Sequence, residues 1–313
     1  MDSSGGRESS PRIMVVGSSN TDMVIATDRL PLPGETVMGG KFLMVPGGKG
    51  ANQAVAAARL GGRVTFVARV GSDVFGEEAV ANFRNEGIET EFITRDPEEP
   101  SGVALIFVDS KGENVIAVAP GSNGRLFPGE VEAAAGRMSE CSVLVLQLEV
   151  PMETVVRAAE LGRERGVPVL LNPAPVGVEG LPGELLRNVD VLVPNETETR
   201  TILGLAPDAA IDEESARRLL DLGVGGAVVT MGASGVLVVT PERCETIPGI
   251  RVTAVDSTAA GDAFCGATAF GLAGGSDLFE ASRFAVRAAA LSVTRMGAQS
   301  SLPTASEVAS FNP

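Results

Sequence analysis

Residues 256–264 read Asp-Ser-Thr-Ala-Ala-Gly-Asp-Ala-Phe, two carboxylates with only small residues between, directly ahead of an apolar run through Phe264, Ala267, Phe270 and Leu272. Two readings fit. In one, Asp256 or Thr258 caps an Ala/Gly-rich helix. In the other, the free N–H groups and dipole of the helix start form an anion site, and Asp262, in the first turn, takes a proton from an attacking hydroxyl. The first reading accounts for one oxygen; the second also accounts for Ala259, Ala260, Gly261 and Asp262.

The chain contains no His, Trp or Tyr. Histidine bases, Ser-His-Asp triads and histidine metal sites are therefore excluded, and acid–base work falls to Asp, Glu, Lys or Cys. Three further stretches carry chemistry-bearing residues. "PGGKGANQAVAAARLG" (46–61) lacks the glycine spacing and the Ser/Thr of a phosphate-binding Walker loop. It reads either as a tight turn into a small-residue helix or as a place where backbone N–H groups and Asn52 hold the hydroxyls of a polyol. "NETE" (195–198) is either a helix cap or a site where Asn195 and Glu198 order Mg²⁺-bound water around phosphates. "RMGAQSSLP" (295–303) reads as a helix exit with Gly297 past the end.

The elements that must position these residues follow an α/β rhythm. Strand-like runs at 12–17, 63–71, 142–149, 167–173, 190–195 and 226–232 alternate with helix-like segments at 51–60, 74–86, 152–165, 196–203 and 212–222. The class is three-layer α/β/α with a central, mostly parallel sheet. Polar residues stand at successive strand ends, where such sheets bind ligands: Asn20 and Asp22, Gln147 and Glu149, Asn172, Asn195 and Glu198, Thr230. Two segments, 35–46 and 102–119, read as strands without a helix between, a small antiparallel sheet whose hairpin turns at "DSKGEN". Both faces of that hairpin are apolar, so a substrate would cover one and a partner's copy, or the main domain, the other.

At 313 residues with 44% apolar content the chain has ample core material. Its net charge of −15 argues against nucleic acid, and no run is long enough for a membrane span. Residues 1–11 read as a disordered tail. The unpaired set Cys141, Cys244 and Cys265 points to a reducing compartment, the cytoplasm.

Taken in order, "GSSNTDMV", "RLPLPGET", "GGKGANQAVAAARLG", "VGSDVFG", "GVALIFVDSKGENVIAVAPGSN", "QLE", "NPAP", "NETE", "VVTMGASGV", "AVDSTAAGDAF" and "GAQSSLP" resemble the PfkB/ribokinase family of carbohydrate kinases over about residues 12–303. The resemblance implies phosphorylation of D-ribose at its 5-hydroxyl by ATP, in one kinase domain (12–313) whose lid strands also form a homodimer interface. It implies that Asp22, Gly48, Lys49, Asn52 and Glu149 bind the sugar. Asp262 would be the base, with the backbone of Ala259, Ala260 and Gly261 as anion hole. Asn195, Glu198, Thr230 and Gly232 fall at positions near the nucleotide and Mg²⁺. An activating K⁺ would lie against Asp256 and Thr258, with carbonyls of Ser292, Arg295 and Gly297 and the Ser301 hydroxyl. One departure stands out: the family usually has Gly-Ala-Gly-Asp where this chain has Ala259-Ala260-Gly261-Asp262, and the φ angle of Ala259 decides what the extra methyl costs. A kinase for another sugar or a nucleoside, or a sugar-binding homologue impaired at Ala259, are the alternatives.

Overall fold

The computed structural model describes residues 10–110 and 114–312. The middle of the expected hairpin turn (111–113) and residues 1–9 of the expected tail lie outside them; Pro11 already accepts a hydrogen bond from the Arg63 N–H.

The strands are β1 (Arg12–Val16), β2 (Asn20–Ala26), β3 (Lys41–Gly47), β4 (Arg63–Gly71), β5 (Ile93–Asp96), β6 (Gly102–Val108), β7 (Asn114–Ala119), β8 (Val143–Leu146), β9 (Val169–Leu171), β10 (Val191–Leu192), β11 (Gly226–Thr230), β12 (Gly235–Val239) and β13 (Cys244–Pro248). The helices are α1 (Lys49–Arg59), α2 (Val74–Asn85), α3 (Pro128–Ala133), α4 (Ala135–Met138), α5 (Met152–Glu164), α6 (Gly183–Leu186), α7 (Glu196–Leu203), α8 (Glu213–Leu220), α9 (Ala260–Ala273), α10 (Leu278–Ser292) and α11 (Ala305–Ser310). A nine-stranded sheet runs β13-β12-β11-β10-β9-β8-β1-β4-β5, its pairings parallel except for the antiparallel β11–β12 and β12–β13 pairs, so that β12 alone is reversed. Along β1, Ile13 and Val15 enter one core with α1, α9 and α10, while Met14 and Val16 enter a second with α5 and α8. Unbroken apolar strands are what a sheet covered on both faces requires.

The second sheet runs β3-β2-β6-β7. Its outer pairings are antiparallel, and its central pair, β2 with β6, is parallel. The strand expected at 35–46 begins only at Lys41, because Gly39 and Gly40 have φ of 104° and 107° and break the extended run. Asn20 and Asp22, read as the end of the first strand, instead open β2; Gly17, Ser18 and Ser19 carry the chain out of the main sheet. Register places Asp22, Val24, Leu43, Ile106, Ile116 and Val118 on one face, and Phe42, Met44, Leu105 and Val115 on the other. Seven of these apolar residues are exposed: Leu43, Ile116 and Val118 on the first face, Phe42, Met44, Leu105 and Val115 on the second.

The α1–α9 contact brings the chemistry together. A Cβ added at Gly266 of α9 would stand 2.6 Å from the Ala56 Cβ and 2.8 Å from the Gln53 carbonyl of α1. Both obstacles belong to a packed helix, so Gly266→Ala is expected to destabilise the protein by about 1–3 kcal/mol. Denaturant unfolding measures this directly; an unchanged midpoint would show that the two helices can part.

Candidate active site

Asp262 sits in the first turn of α9, 6% exposed. Its Oδ2 accepts from Asn52 Nδ2 at 2.9 Å and its Oδ1 from Gln53 Nε2 at 3.0 Å, both side chains arriving from α1. Gln53 is fixed in turn: its Nε2 also donates to Asn172 Oδ1 (3.1 Å), and its Oε1 accepts from Gln147 Nε2 (2.8 Å). Burial raises the pKa of Asp262, with Glu149 adding to it, against the opposing pull of Lys49 and the two amides. The Asn52 Oδ1 is buried without a partner, an acceptor left for a hydroxyl donor. Gln53 was not among the expected site residues; its signal was a second amide beside Asn52 in an otherwise alanine-rich helix.

On the side facing the small sheet, the Glu149 Oε2 accepts from Ser18 Oγ (2.5 Å) and from the Lys49 N–H (2.9 Å) at the start of α1. Asp22 is 9% exposed, and desolvation first, then Glu149 and Asp262, push its pKa up to about 6. A Cβ at Gly47 would lie 2.2 Å from the Asp22 Oδ2, so Gly47 as well as Gly48 must be bare. Gly48, at φ 90°, caps α1 and comes within 2.7 Å of the Asn20 N–H in the same sense. The Lys49 amine is held charged by Asp262, Glu149 and Glu198, which outweigh the opposing effect of its burial.

Among the described residues Ala259 is the one non-glycine with positive φ, at 58°. The left-handed conformation costs a residue bearing a Cβ roughly 1 kcal/mol. It also turns the chain so that α9 begins with unpaired donors. The Ala260 N–H reaches the Ser257 carbonyl at 3.2 Å, whereas those of Ala259, Gly261 and Asp262 bond to no described residue. Ala259→Gly is expected to leave stability within about 1 kcal/mol, since relief of strain is offset by the freedom glycine gains in the unfolded chain. Ala259→Val, β-branched at positive φ, is expected to lower both stability and turnover. Thermal unfolding and turnover on the two variants check the pair; equal behaviour would show that the φ is not enforced.

Two cavities meet at this helix start. One, of about 250 Å³, is lined by Lys49, Asn172, Asn195, Glu198, Thr230 and Asp262. The other, of about 620 Å³ and mainly apolar, runs past Gly232, Val236, Ile250, Phe264 and Val286. They share Thr230, Ser257, Ala260 and Gly261. Asn195 and Glu198 form a reciprocal cap on α7, each side chain accepting from the other's N–H at 2.8 Å. The cap and the pocket lining are thus the same two residues, and desolvation raises the pKa of Glu198.

Behind the loop, Asp256 Oδ1 accepts from the N–H (2.9 Å) and hydroxyl (2.6 Å) of Thr258, and Oδ2 from the Gly297 N–H (2.8 Å). These bonds hold its carboxyl below the usual range in spite of partial burial. The carbonyls of Arg295 and Gly297 accept from no described residue. Ser292 and Ser301 are buried, but the Ser292 carbonyl expected at the cation accepts from the Arg295 N–H (3.0 Å), the Ser301 hydroxyl donates to Ala298, and neither is hydrogen-bonded to Asp256. The Arg295 side chain turns away to Glu307.

Residues 10–305 match the model of the pfkB family carbohydrate kinases. The chain is 41% identical over 303 residues to ribokinase of Haemophilus influenzae, spanning 96% of this chain and 97% of that one. It is also 41% identical over 293 residues to deoxyribokinase of Salmonella typhi (93% and 95%). The structure of Arabidopsis thaliana ribokinase complexed with ribose and ATP superposes with a TM-score of 0.88 at 30% identity, covering 97% of this chain and all of that one. The chain belongs to the pfkB family of carbohydrate kinases. It is a sugar kinase.

Proposed function

We propose that this chain transfers the γ-phosphoryl group of ATP to the 5-hydroxyl of D-ribose. The observation carrying this is the position of Asp262, a buried carboxylate that lines the polar cavity directly after Ala260 and Gly261, which line both cavities, at a helix start with unpaired N–H groups. Asp22, Asn52 and Glu149, with the backbone at Gly48 and Lys49, bind the sugar hydroxyls. Asp262 accepts the proton of the attacking oxygen. The N–H groups of Ala259, Gly261 and Asp262 receive the charge that develops on the phosphoryl oxygens, and Lys49 neutralises more of it. The apolar cavity takes the adenosine, with Thr230 and Gly232 at its mouth.

Glu198, with one oxygen bonded in its cap and the residue lining the polar cavity, and Asn195 fit a Mg²⁺ that keeps its waters. That ion shields the β- and γ-phosphates when bound. The free carbonyls of Arg295 and Gly297 beside the Asp256 carboxylate form an all-oxygen donor set that fits K⁺. The Asp22 face of the small sheet closes over the sugar as a lid and excludes water. The opposite face, with Phe42, Met44, Leu105 and Val115 exposed, pairs with a second copy of the chain. Free thiols at Cys141, Cys244 and Cys265 suit a reducing cytoplasm.

The equal identity to a deoxyribokinase supports one second reading, 2-deoxy-D-ribose as the preferred sugar. ADP release with D-ribose, 2-deoxy-D-ribose, D-fructose and adenosine, in K⁺ or in tetramethylammonium, decides between them. The expected result is highest kcat/KM with D-ribose and strong K⁺ activation; preference for the deoxy sugar selects the second reading, and preference for fructose or adenosine removes both.

A further inference from the structure

Arg59, the last residue of α1, lies outside both cavities and takes no part in the chemistry above. Four of its five donors are nevertheless committed in a specific way. Nε and Nη2 grip both oxygens of Glu86, just past α2, at 2.9 and 2.5 Å. Nη1 donates to two main-chain carbonyls, Gln299 at 2.6 Å and Leu302 at 2.9 Å. The same segment is tied a second time by Asn82 of α2, whose Nδ2 donates to Gln299 Oε1 at 2.8 Å. Both Arg59 and Glu86 side chains are largely buried, so the pair is shielded from the solvent that makes surface ion pairs weak.

The braced segment is the one that bears the free oxygens. Gly297 donates to Asp256, Asp256 holds Thr258, and Thr258 precedes the strained Ala259. Arg59 takes up the carbonyls of Gln299 and Leu302, while those of Arg295 and Gly297 accept from no described residue. A cation site made mostly of main-chain oxygens has no rigidity of its own; something outside it must fix the loop. We propose that Arg59 is the positioning residue of the monovalent-cation site, holding residues 297–302 against α1 and α2 so that the oxygens around Asp256 are arranged before the ion arrives. This rests on the cation site proposed above. Groups that orient a metal's ligands without touching the metal are commonly worth 10–100-fold in its affinity. Lysine cannot stand in, because a single ammonium cannot span Glu86 and two carbonyls at once.

The experiment compares the wild type with Arg59→Lys by titrating K⁺ against tetramethylammonium at fixed ionic strength. Two readouts are followed, ADP release and the rise in Tm that K⁺ binding produces. In Arg59→Lys the K⁺ concentration at half-effect should rise about tenfold or more in both readouts, with KM for ribose at saturating K⁺ unchanged. A lower Tm with an unmoved K⁺ midpoint would overturn the proposal and leave Arg59 an ordinary structural brace. A wild type that responds to K⁺ in neither readout would remove the cation site itself, and this inference with it. If Arg59→Lys does not fold, Asn82→Ala, which loosens the same segment at its other tie, should raise the K⁺ midpoint a few-fold; no change there overturns the proposal equally.

Discussion

Asp262→Asn is expected to lower kcat by about 10²–10⁴-fold, the usual range for loss of a general base, while the Kd for the sugar stays within about tenfold of wild type. The local hydrogen bonds explain why binding should survive. Both oxygens of Asp262 accept from amide donors, so an Asn at this position points one NH₂ at another. Turning Gln53 would set its Oε1 against the Asn172 Oδ1 to which its Nε2 now donates, so the relief does not come from Gln53. Asn52 can, because its Oδ1 has no partner and a flip presents that oxygen to the new amide. The sugar-facing end of Asn52 then offers a donor instead of an acceptor, which a hydroxyl accommodates. Calorimetric titration with ribose and steady-state ADP release separate the two effects. A kcat within tenfold of wild type would mean that Asp262 is not the base. The acid limb of kcat/KM should also lie above the ordinary carboxylate range, because both Asp22 and Asp262 have raised pKa values and activity falls as either takes its proton.

Much of this site is legible in the sequence because its parts are local. The run from Asp256 to Phe264 contains its own helix start, its own unpaired backbone N–H groups and its own carboxylate, and α7 begins where "NETE" says it should. What the sequence does not display depends on distant partners. Gln53 looks like an ordinary helix residue until Gln147, Asn172 and Asp262, far along the chain, converge on it. The place of β2 in the small sheet is hidden for a similar reason. Asn20 and Asp22 read as polar residues at the end of the first strand, and only pairing with β3 and β6 makes "NTDMVIA" a strand of the second sheet. The strands β12 and β13 are short and lie at the sheet's edge in antiparallel pairing, where the alternation of helix and strand gives no cue. The conformation of Ala259 lay beyond the sequence as well, because alanine favours helical φ and this residue stands at 58°.

Asp22→Asn should weaken ribose binding and strengthen the fold at the same time. The carboxylate is nearly buried, faces Glu149 and Asp262, and has its pKa pushed up from 3.8 to about 6. A raised carboxyl pKa means that the native state disfavours the charged form. Its native form takes up a proton before the unfolded chain does, so the protein gains stability as pH falls from about 6 towards 3.8 and loses it again as pH rises. At pH 7 the charged Asp22 therefore costs the unliganded protein on the order of 2–3 kcal/mol, which an uncharged Asn avoids. Bound sugar hydroxyls repay that penalty by donating to the carboxylate, and a hydrogen bond to a charged group is worth about 1.5–3 kcal/mol. The expected results are a KM for ribose raised by roughly 10–100-fold, corresponding to that energy, and a higher Tm for the unliganded variant than for wild type at pH 7. The Tm difference should close as the pH approaches 4, where wild-type Asp22 is neutral as well. A difference that persists unchanged from pH 7 to pH 4 would place its origin in packing around Gly47 instead of in the buried charge. An unchanged KM would take Asp22 out of the sugar site. In the proposed sugar site, stability sacrificed by the free protein and recovered on binding would make Asp22 select a polyol, since an apolar ligand of the same shape would leave the carboxylate buried and unpaired.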